Sequence, residues 1–299
     1  MRFPGAVVDR DEAAYVLTGS PLDATTTFQP GTRFGPDRVR KFASTYDDYD
    51  RRTDSFFSDL RVHDAGDVPA WDALDEYLDH LSAELRAAVI DDAVPLLVGG
   101  EHTVTWAGVR ASDPDVLVTV DAHLDLRDAY DGNPLNHACV VRRCIDGYSG
   151  DGADGADEAD GADAAADTGV DDLPTVDEVV VLGARTGSPE EWERAEASDV
   201  TVVAPEDVAD WTREFDGFGG RDAYLSVDID GADPGFAPGT GTMEPFGLSP
   251  REMRDAVRAV APHSVGVDAV EVNDRDDGQA AALAGKLLRE AVYSHADAN

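Results

Sequence analysis

The chain has 299 residues, 42% of them hydrophobic, and it carries 62 acidic against 24 basic residues for a formal net charge of −38. That balance excludes nucleic acid as a partner, because phosphate binding needs a basic footprint, and no apolar run approaches the roughly 18–20 residues of a membrane span. Self-repulsion on this scale is tolerable at molar salt, where the Debye length falls to about 3 Å, so the composition points to a halophile's cytoplasm.

The N-terminal stretch "MRFPGAVVDRDEAAYVL" has neither the basic segment nor the long apolar core of a signal peptide. Short valine-rich runs then recur along the chain: "AAYVLTG" (13–19), "VPLLVGG" (94–100), "DVLVTVDAH" (115–123), "EVVVLGAR" (178–185), "VTVVAP" (200–205), "AYLSVDID" (223–230) and "SVGVDAVEVN" (264–273). Continuous apolar runs of this kind predict strands buried on both faces. Helical patterns lie between them. Across 69–92, Trp71, Leu74, Leu78, Leu81, Leu85 and Val89 recur every three to four residues. "SPEEWERA" and "SPREMRDAVRAV" each open with a capping box, Ser188 with Glu191 and Ser249 with Glu252, and each has proline at the first helical position. The alternation predicts an α/β fold with a mostly parallel sheet and helices on both faces. No linker divides the chain, so 1–299 reads as one domain. Cys139 and Cys144, the only cysteines, lack CxxC spacing and read as buried thiols in a reducing compartment. The segment 149–172 holds nine carboxylates, no basic residue and one large apolar side chain. It matches no calcium-loop pattern and is expected to be a disordered surface insertion.

The stretch "VTVDAHLDLRD" (118–128) ends a buried-type strand in Asp121, His123 and Asp125 at alternate positions, which share a face wherever the chain is extended. Asp228 and Asp230 end another predicted strand, and His102 follows a third. Ligands bind open parallel sheets outside the carboxyl ends of the strands, so the three stretches can converge. Singly, each has a plainer reading as a turn or a cap. Together they assemble four aspartates and two histidines, whose negative charge balances two divalent cations. Oxygen and imidazole donors without thiolate suit Mn2+, with Co2+ or Fe2+ as alternatives, better than a structural zinc. Two such ions roughly 3.5–4 Å apart can share a water and lower its pKa.

"GGEHTVT", "VDAHLDLRD" and "SVDIDGADPGFAPGTGTMEPFGLSPRE" resemble the metal-ligand signatures of the ureohydrolases, the arginase/agmatinase family. "GTRFGPDRVR" and "VDAVEVN" match in order, so the likeness spans roughly residues 13–290 and fails only at the acidic insertion. The resemblance implies a three-layer α/β/α sandwich around a mostly parallel eight-stranded sheet, two Mn2+ per subunit, a homotrimer or homohexamer, and, with the composition, a haloarchaeal source. By the same resemblance His102, Asp121, Asp125 and Asp228 serve one metal. Asp121, His123, Asp228 and Asp230 serve the other, with Asp121 and Asp228 bridging. Asp125 also orients the hydroxide, His137 in "NHACVVRR" carries the proton, and Glu271 grips the substrate guanidinium.

The chemistry coheres on its own terms. A guanidinium resists water, a carboxylate such as Glu271 can hold its planar donor pair, and the amine leaves only when protonated, a task suited to histidine. The glycine- and proline-rich "DPGFAPGTGT" (233–242) is expected to form a rigid rim near the substrate. Within the family the chain looks closer to the agmatinases, which implies hydrolysis of agmatine to putrescine and urea. Arg127 stands where arginases have an asparagine that reads the substrate carboxylate. It is expected to point away from the site, paired with Asp128 or Asp131; pointing inward, it would favour 4-guanidinobutyrate or formiminoglutamate. The alternatives are therefore a guanidinobutyrase, a formiminoglutamase or an arginase, and, from another class, a non-catalytic acidic cation-binding protein.

Overall fold

A computed structural model describes residues 1–148 and 173–299; the acidic segment 149–172, expected to be a disordered insertion, lies outside the described residues. In chain order the elements are β1 (Tyr15–Ser20), α1 (Gly35–Ala43), β2 (Tyr49–Asp50), β3 (Ser55–Phe56), β4 (Val62–Asp67), α2 (Leu74–Ile90), β5 (Val94–Gly99) and α3 (Val104–Ser112). There follow β6 (Val116–Val120), α4 (Val140–Asp146), β7 (Glu178–Leu182), α5 (Pro189–Ala195), β8 (Val200–Val203), α6 (Val208–Glu214), β9 (Ala223–Asp228), α7 (Pro250–Val260), β10 (Ser264–Val270) and α8 (Gln279–Ala298).

Eight strands form one sheet in the order β4-β1-β5-β10-β9-β6-β7-β8, and β2 pairs with β3 apart from it. Every pairing in the large sheet is parallel. The valine-rich runs behave as buried strands should, sending alternate side chains into two cores. Val116, Val118 and Val120 face one with Leu225, Val227, Met253, Val257 and Leu288. Leu117, Val179, Val181 and Tyr224 face the other with Leu78, Leu81, Leu85, Val109 and Val141. Helices α1, α7 and α8 cover the first face and α2, α3 and α4 the second, giving the three-layer sandwich. At roughly 1.5–3 kcal/mol for each large apolar side chain fully buried, these two cores supply the main drive for folding.

The seven expected strands all form. The eighth, β4, is an edge strand of sequence "VHDAGD" with only Val62 and Asp64 buried, so it lacks the apolar run that marks the others. Both capping boxes form as expected. The helix expected over 69–92 is shorter: Trp71 precedes α2 and lies against the rings of Tyr77 and His80.

The strand order decides where the chemistry goes. Strands β5, β10, β9 and β6 are consecutive neighbours at the centre of the sheet, and adjacent strands lie about 4.8 Å apart. Their carboxyl ends deliver His102, Glu271, Asp228 and Asp121 to one place.

Candidate active site

His102 Nδ1 lies 3.0 Å from Asp125 Oδ2, 3.1 Å from Asp121 Oδ2 and 3.4 Å from Asp228 Oδ2. His123 Nδ1 lies 3.1 Å from Asp230 Oδ2 and 3.6 Å from Asp121 Oδ1. Two donor groups able to hold an ion result, His102–Asp121–Asp228 and Asp121–His123–Asp230, and Asp121 belongs to both. Its two oxygens face different groups. Asp228 belongs to the first group and not the second, where it was expected to bridge; its Oδ1 accepts the N–H of Asp230 at 2.8 Å.

The local backbone explains the aim of each ligand. Strand β6 ends at Val120, and a single parallel bridge from His123 to Thr186 carries the extended path onward. The alternation expected for Asp121, His123 and Asp125 therefore covers only the first two. Asp125 reaches the group through a left-handed turn, φ +50°, and Glu271 leaves β10 in the same unfavoured region, φ +59°. Such conformations cost of order 1–3 kcal/mol each for a non-glycine residue and are retained where the surroundings over-determine them. After β5, a Cβ at Gly100 would lie 2.1 Å from the Leu22 carbonyl oxygen, so only glycine lets the 20–31 segment pack against this strand end.

The residues beneath the ligands set the tautomer of His102. Ser226 Oγ has one proton and gives it to Asp268 Oδ1 at 2.7 Å, so at 3.1 Å it can only accept from His102 Nε2–H. Thr105 Oγ1 donates to the second Asp268 oxygen at 2.8 Å. The neutral ring consequently turns its Nδ1 lone pair toward three carboxylates, an arrangement that calls for a cation. With His102 Nδ1 carrying a lone pair, the fully buried Asp121 Oδ2, 3.1 Å away, has no hydrogen-bond donor among the described residues, as suits an oxygen open to a cation.

The electrostatics of the protein groups alone point the same way. Burial opposes charge on His102, but hydrogen bonds and charge from Asp121 and Asp125 raise it well above an ordinary histidine. Burial likewise opposes charge on His123, yet Asp230 and Asp121 push it up to about 12. Burial and the Asp121 charge raise Asp125 to about 6, and burial with Asp230, Asp121 and Glu271 raises Asp228 well above the carboxylate range. Asp121 is held below that range, because the two histidines outweigh its burial. Crowded carboxylates that force one another to keep protons bind dications in their place. The donor set fits two divalent ions.

A cavity opens above the ligands, lined by His123, Asp125, Asp228 and Asp230 together with His137, Glu271, Thr186, Thr242, Tyr130, Arg127 and Glu191. Glu271 Oε1 accepts the His102 N–H at 2.8 Å and faces His137 Nδ1 at 3.2 Å. The N–H and hydroxyl of Thr27 lie 3.2 and 3.1 Å from His137 Nε2. An N–H can only donate, so the first contact suits a neutral ring with its proton on Nδ1. Against burial, Glu271, Asp125 and Glu101 favour the charged ring and push it up to about 9. The site therefore supports both states of His137. Glu101, fully buried, accepts the N–H and hydroxyl of Thr25 at 2.7 Å each, and Thr25 Oγ1 accepts the His137 N–H at 2.9 Å.

All eight expected site residues thus come together. Arg127 does not follow expectation. It lies in the cavity wall, 3.3 Å from Glu191 Oε2 and 5.3 Å from the Tyr130 ring centre, while Asp128 pairs with Arg143. Glu191 wins because α5 already fixes it: its oxygens also accept the Ser188 and Leu126 N–H groups. Sequence reasoning missed Ser226, Asp268 and Glu191. A usable signal was present for the first two, polar residues set inside the apolar runs of central strands. The two cysteines are buried and free, as expected. Among the described residues no helix is long and apolar enough to cross a membrane.

Comparison with known proteins places this arrangement in context. A sequence model of the Arginase family matches residues 13–293. The chain is 32% identical over 295 residues to the agmatinase of Bacillus cereus, covering 94% of this chain and 91% of that protein. It is also 32% identical to a mitochondrial guanidino acid hydrolase of Homo sapiens, covering 93% and 77%. Among solved structures, agmatine ureohydrolase of Thermoplasma volcanium superposes with a TM-score of 0.84 at 31% identity, covering 99% and 94% of the two chains.

Proposed function

We propose, starting from the fact that this chain belongs to the arginase family, that it is a metal-dependent amidinohydrolase that converts agmatine and water to putrescine and urea. The observation that carries the reading is the pair of donor groups sharing the two oxygens of Asp121 directly below a cavity that holds Glu271 and His137. The agmatinase and agmatine ureohydrolase relatives supply the substrate.

His102, Asp121, Asp125 and Asp228 would hold one Mn2+, and Asp121, His123 and Asp230 the other, with Asp121 common to both. When bound, such an ion pair acidifies water enough to make it a nucleophile near neutral pH and offsets the carboxylate charge. Glu271 anchors the guanidinium: its Oε1 is fixed by the His102 N–H, and Oε2, which takes neither of those bonds, turns to the substrate. Asp125 orients the attacking water from its left-handed turn. Hydrolysis breaks the bond between the guanidinium carbon and the alkyl nitrogen, and that nitrogen departs as an amine only once protonated. His137, whose charged form Glu271 favours against burial and whose neutral form accepts the Thr27 N–H, supplies that proton from Nε2.

Arg127 favours a second reading. A guanidinium in the cavity wall would repel the ammonium of agmatine and attract the carboxylate of a guanidino acid. Its neutralisation by Glu191 supports agmatine instead. Urea release from agmatine and from 4-guanidinobutyrate, measured side by side with Mn2+ at molar salt, decides between them. Turnover of agmatine alone supports the first reading, turnover of the acid alone replaces it with the second, and turnover of neither refutes both. The reading includes a cytoplasmic homotrimer or homohexamer working at high salt.

A further inference from the structure

Arg185 follows β7, and among the described residues none of its hydrogen bonds goes to a carboxylate. Its guanidinium collects main-chain carbonyls instead: Gly183 O at 3.0 Å, Asp230 O at 2.9 Å, Glu244 O at 2.6 Å and Pro245 O at 3.1 Å, with Gly231 O and Ala232 O at 3.4 Å. Asp230 sits in a one-turn 3-10 segment, Ile229–Gly231, too short to satisfy its own carbonyls. Arg185 supplies the missing donors. The Asp230 side chain is steered separately, since its Oδ1 accepts the Ala122 N–H at 3.1 Å and its Oδ2 faces His123. The residue that completes the second donor group is therefore held at backbone and side chain by different partners.

The same guanidinium joins this turn to the 244–247 strip, which follows Thr242 of the cavity wall. Residues 244 and 245 are bound to Arg185, and the next two N–H groups, of Phe246 and Gly247, are accepted by Asp233 Oδ2 at 2.7 and 3.2 Å. A Cβ at Gly247 would lie 2.5 Å from Arg185 Nη2, so the close approach of this strip to the guanidinium requires glycine.

We propose that Arg185 is a positioning residue that fixes Asp230, and with it the second donor group, together with the 244–247 strip as one rigid unit. The proposal rests on the reading above that Asp230 holds an ion. A forked guanidinium suits the task because five N–H donors in one plane reach carbonyls on three separate segments; a lysine, a point donor with three, cannot span them.

The test is Mn2+ titration of the full-length, metal-stripped chain at molar salt, following the free-ion EPR signal, for wild type, Arg185→Lys and Arg185→Met. The expected result is two ions in wild type, with both variants keeping one ion within about twofold and binding the other about 10- to 100-fold more weakly, the usual effect of removing a group that orients a ligand. Should Arg185→Met fail to fold, Arg185→Lys carries the test, because it keeps the charge and removes the fork. Two ions bound with wild-type affinities would overturn the proposal. So would equal weakening of both ions, which marks general loosening of the fold. A wild type that binds fewer than two ions would overturn the metal reading itself, and this proposal with it.

Discussion

Removing the Ser226 hydroxyl isolates the link between the sheet interior and the proposed metal ligands. Ser226 Oγ accepts from His102 Nε2–H at 3.1 Å and donates to Asp268 Oδ1 at 2.7 Å, and all three residues are buried. Ser226→Ala therefore leaves an imidazole N–H without its acceptor and takes one donor from the Asp268 carboxylate, both buried. Leaving a buried polar group unsatisfied costs about 1–3 kcal/mol. The part borne by His102 appears as weaker ion binding, because the ring no longer has its Nδ1 lone pair aimed by a bond on the far side. Loss of such support lowers metal affinity about 10- to 100-fold, or roughly 1.4–2.8 kcal/mol, in agreement with the first figure. Mn2+ titration of Ser226→Ala should show one ion weakened by that factor and the other unchanged, with activity restored by excess Mn2+. Wild-type affinity for both ions would refute the role assigned to Ser226 and the tautomer assigned to His102.

Glu271→Gln removes a charged acceptor for the guanidinium, an interaction worth about 1.5–3 kcal/mol, so kcat/KM should fall about 10- to 100-fold while two ions stay bound; undiminished kcat/KM would remove Glu271 from the site. Asp64 is a pH-dependent prop: against its burial, the Arg40 guanidinium, bonded to both its oxygens at 2.9 Å, holds its carboxyl below the usual range. A group whose folded pKa is depressed contributes stability above its unfolded value of about 3.9 and loses it as pH falls toward the folded one. Asp64→Asn should therefore lower the melting temperature at pH 7, and the difference should shrink as pH falls below about 3.9; an unchanged melting temperature at pH 7 would refute the contribution. With a net charge of −38, the chain should melt at lower temperature when salt is reduced from molar to about 0.1 M, where the Debye length grows from about 3 to 10 Å; salt-independent melting would remove the case for a halophilic setting.

How far the sequence could be read depended on how much of each element's behaviour was local. Valine-rich runs announce strands covered on both faces, and seven of the eight in the large sheet carry one; β4 does not, because an edge strand with a half-polar pattern owes its place to β1 rather than to its own residues. The six proposed ligands were legible because carboxylates and histidines at the ends of apolar runs have few other uses. The route taken by Asp125 was not, since a left-handed turn inside "AHLDLR" leaves no mark when the residue is aspartate rather than glycine. Arg127 paired with a carboxylate 64 positions away, where local reasoning offered Asp128 and Asp131. Arg185 gave no signal either. Its partners are carbonyls, which every residue has, so only the assembled loops reveal why an arginine stands there.

The most direct test of the account is the metal content of active, full-length protein purified at molar salt, measured by elemental analysis alongside urea release from agmatine. The account predicts two transition ions per chain, with turnover lost when chelation removes them and regained when Mn2+ is returned. Full turnover from protein that carries no such ion would contradict it.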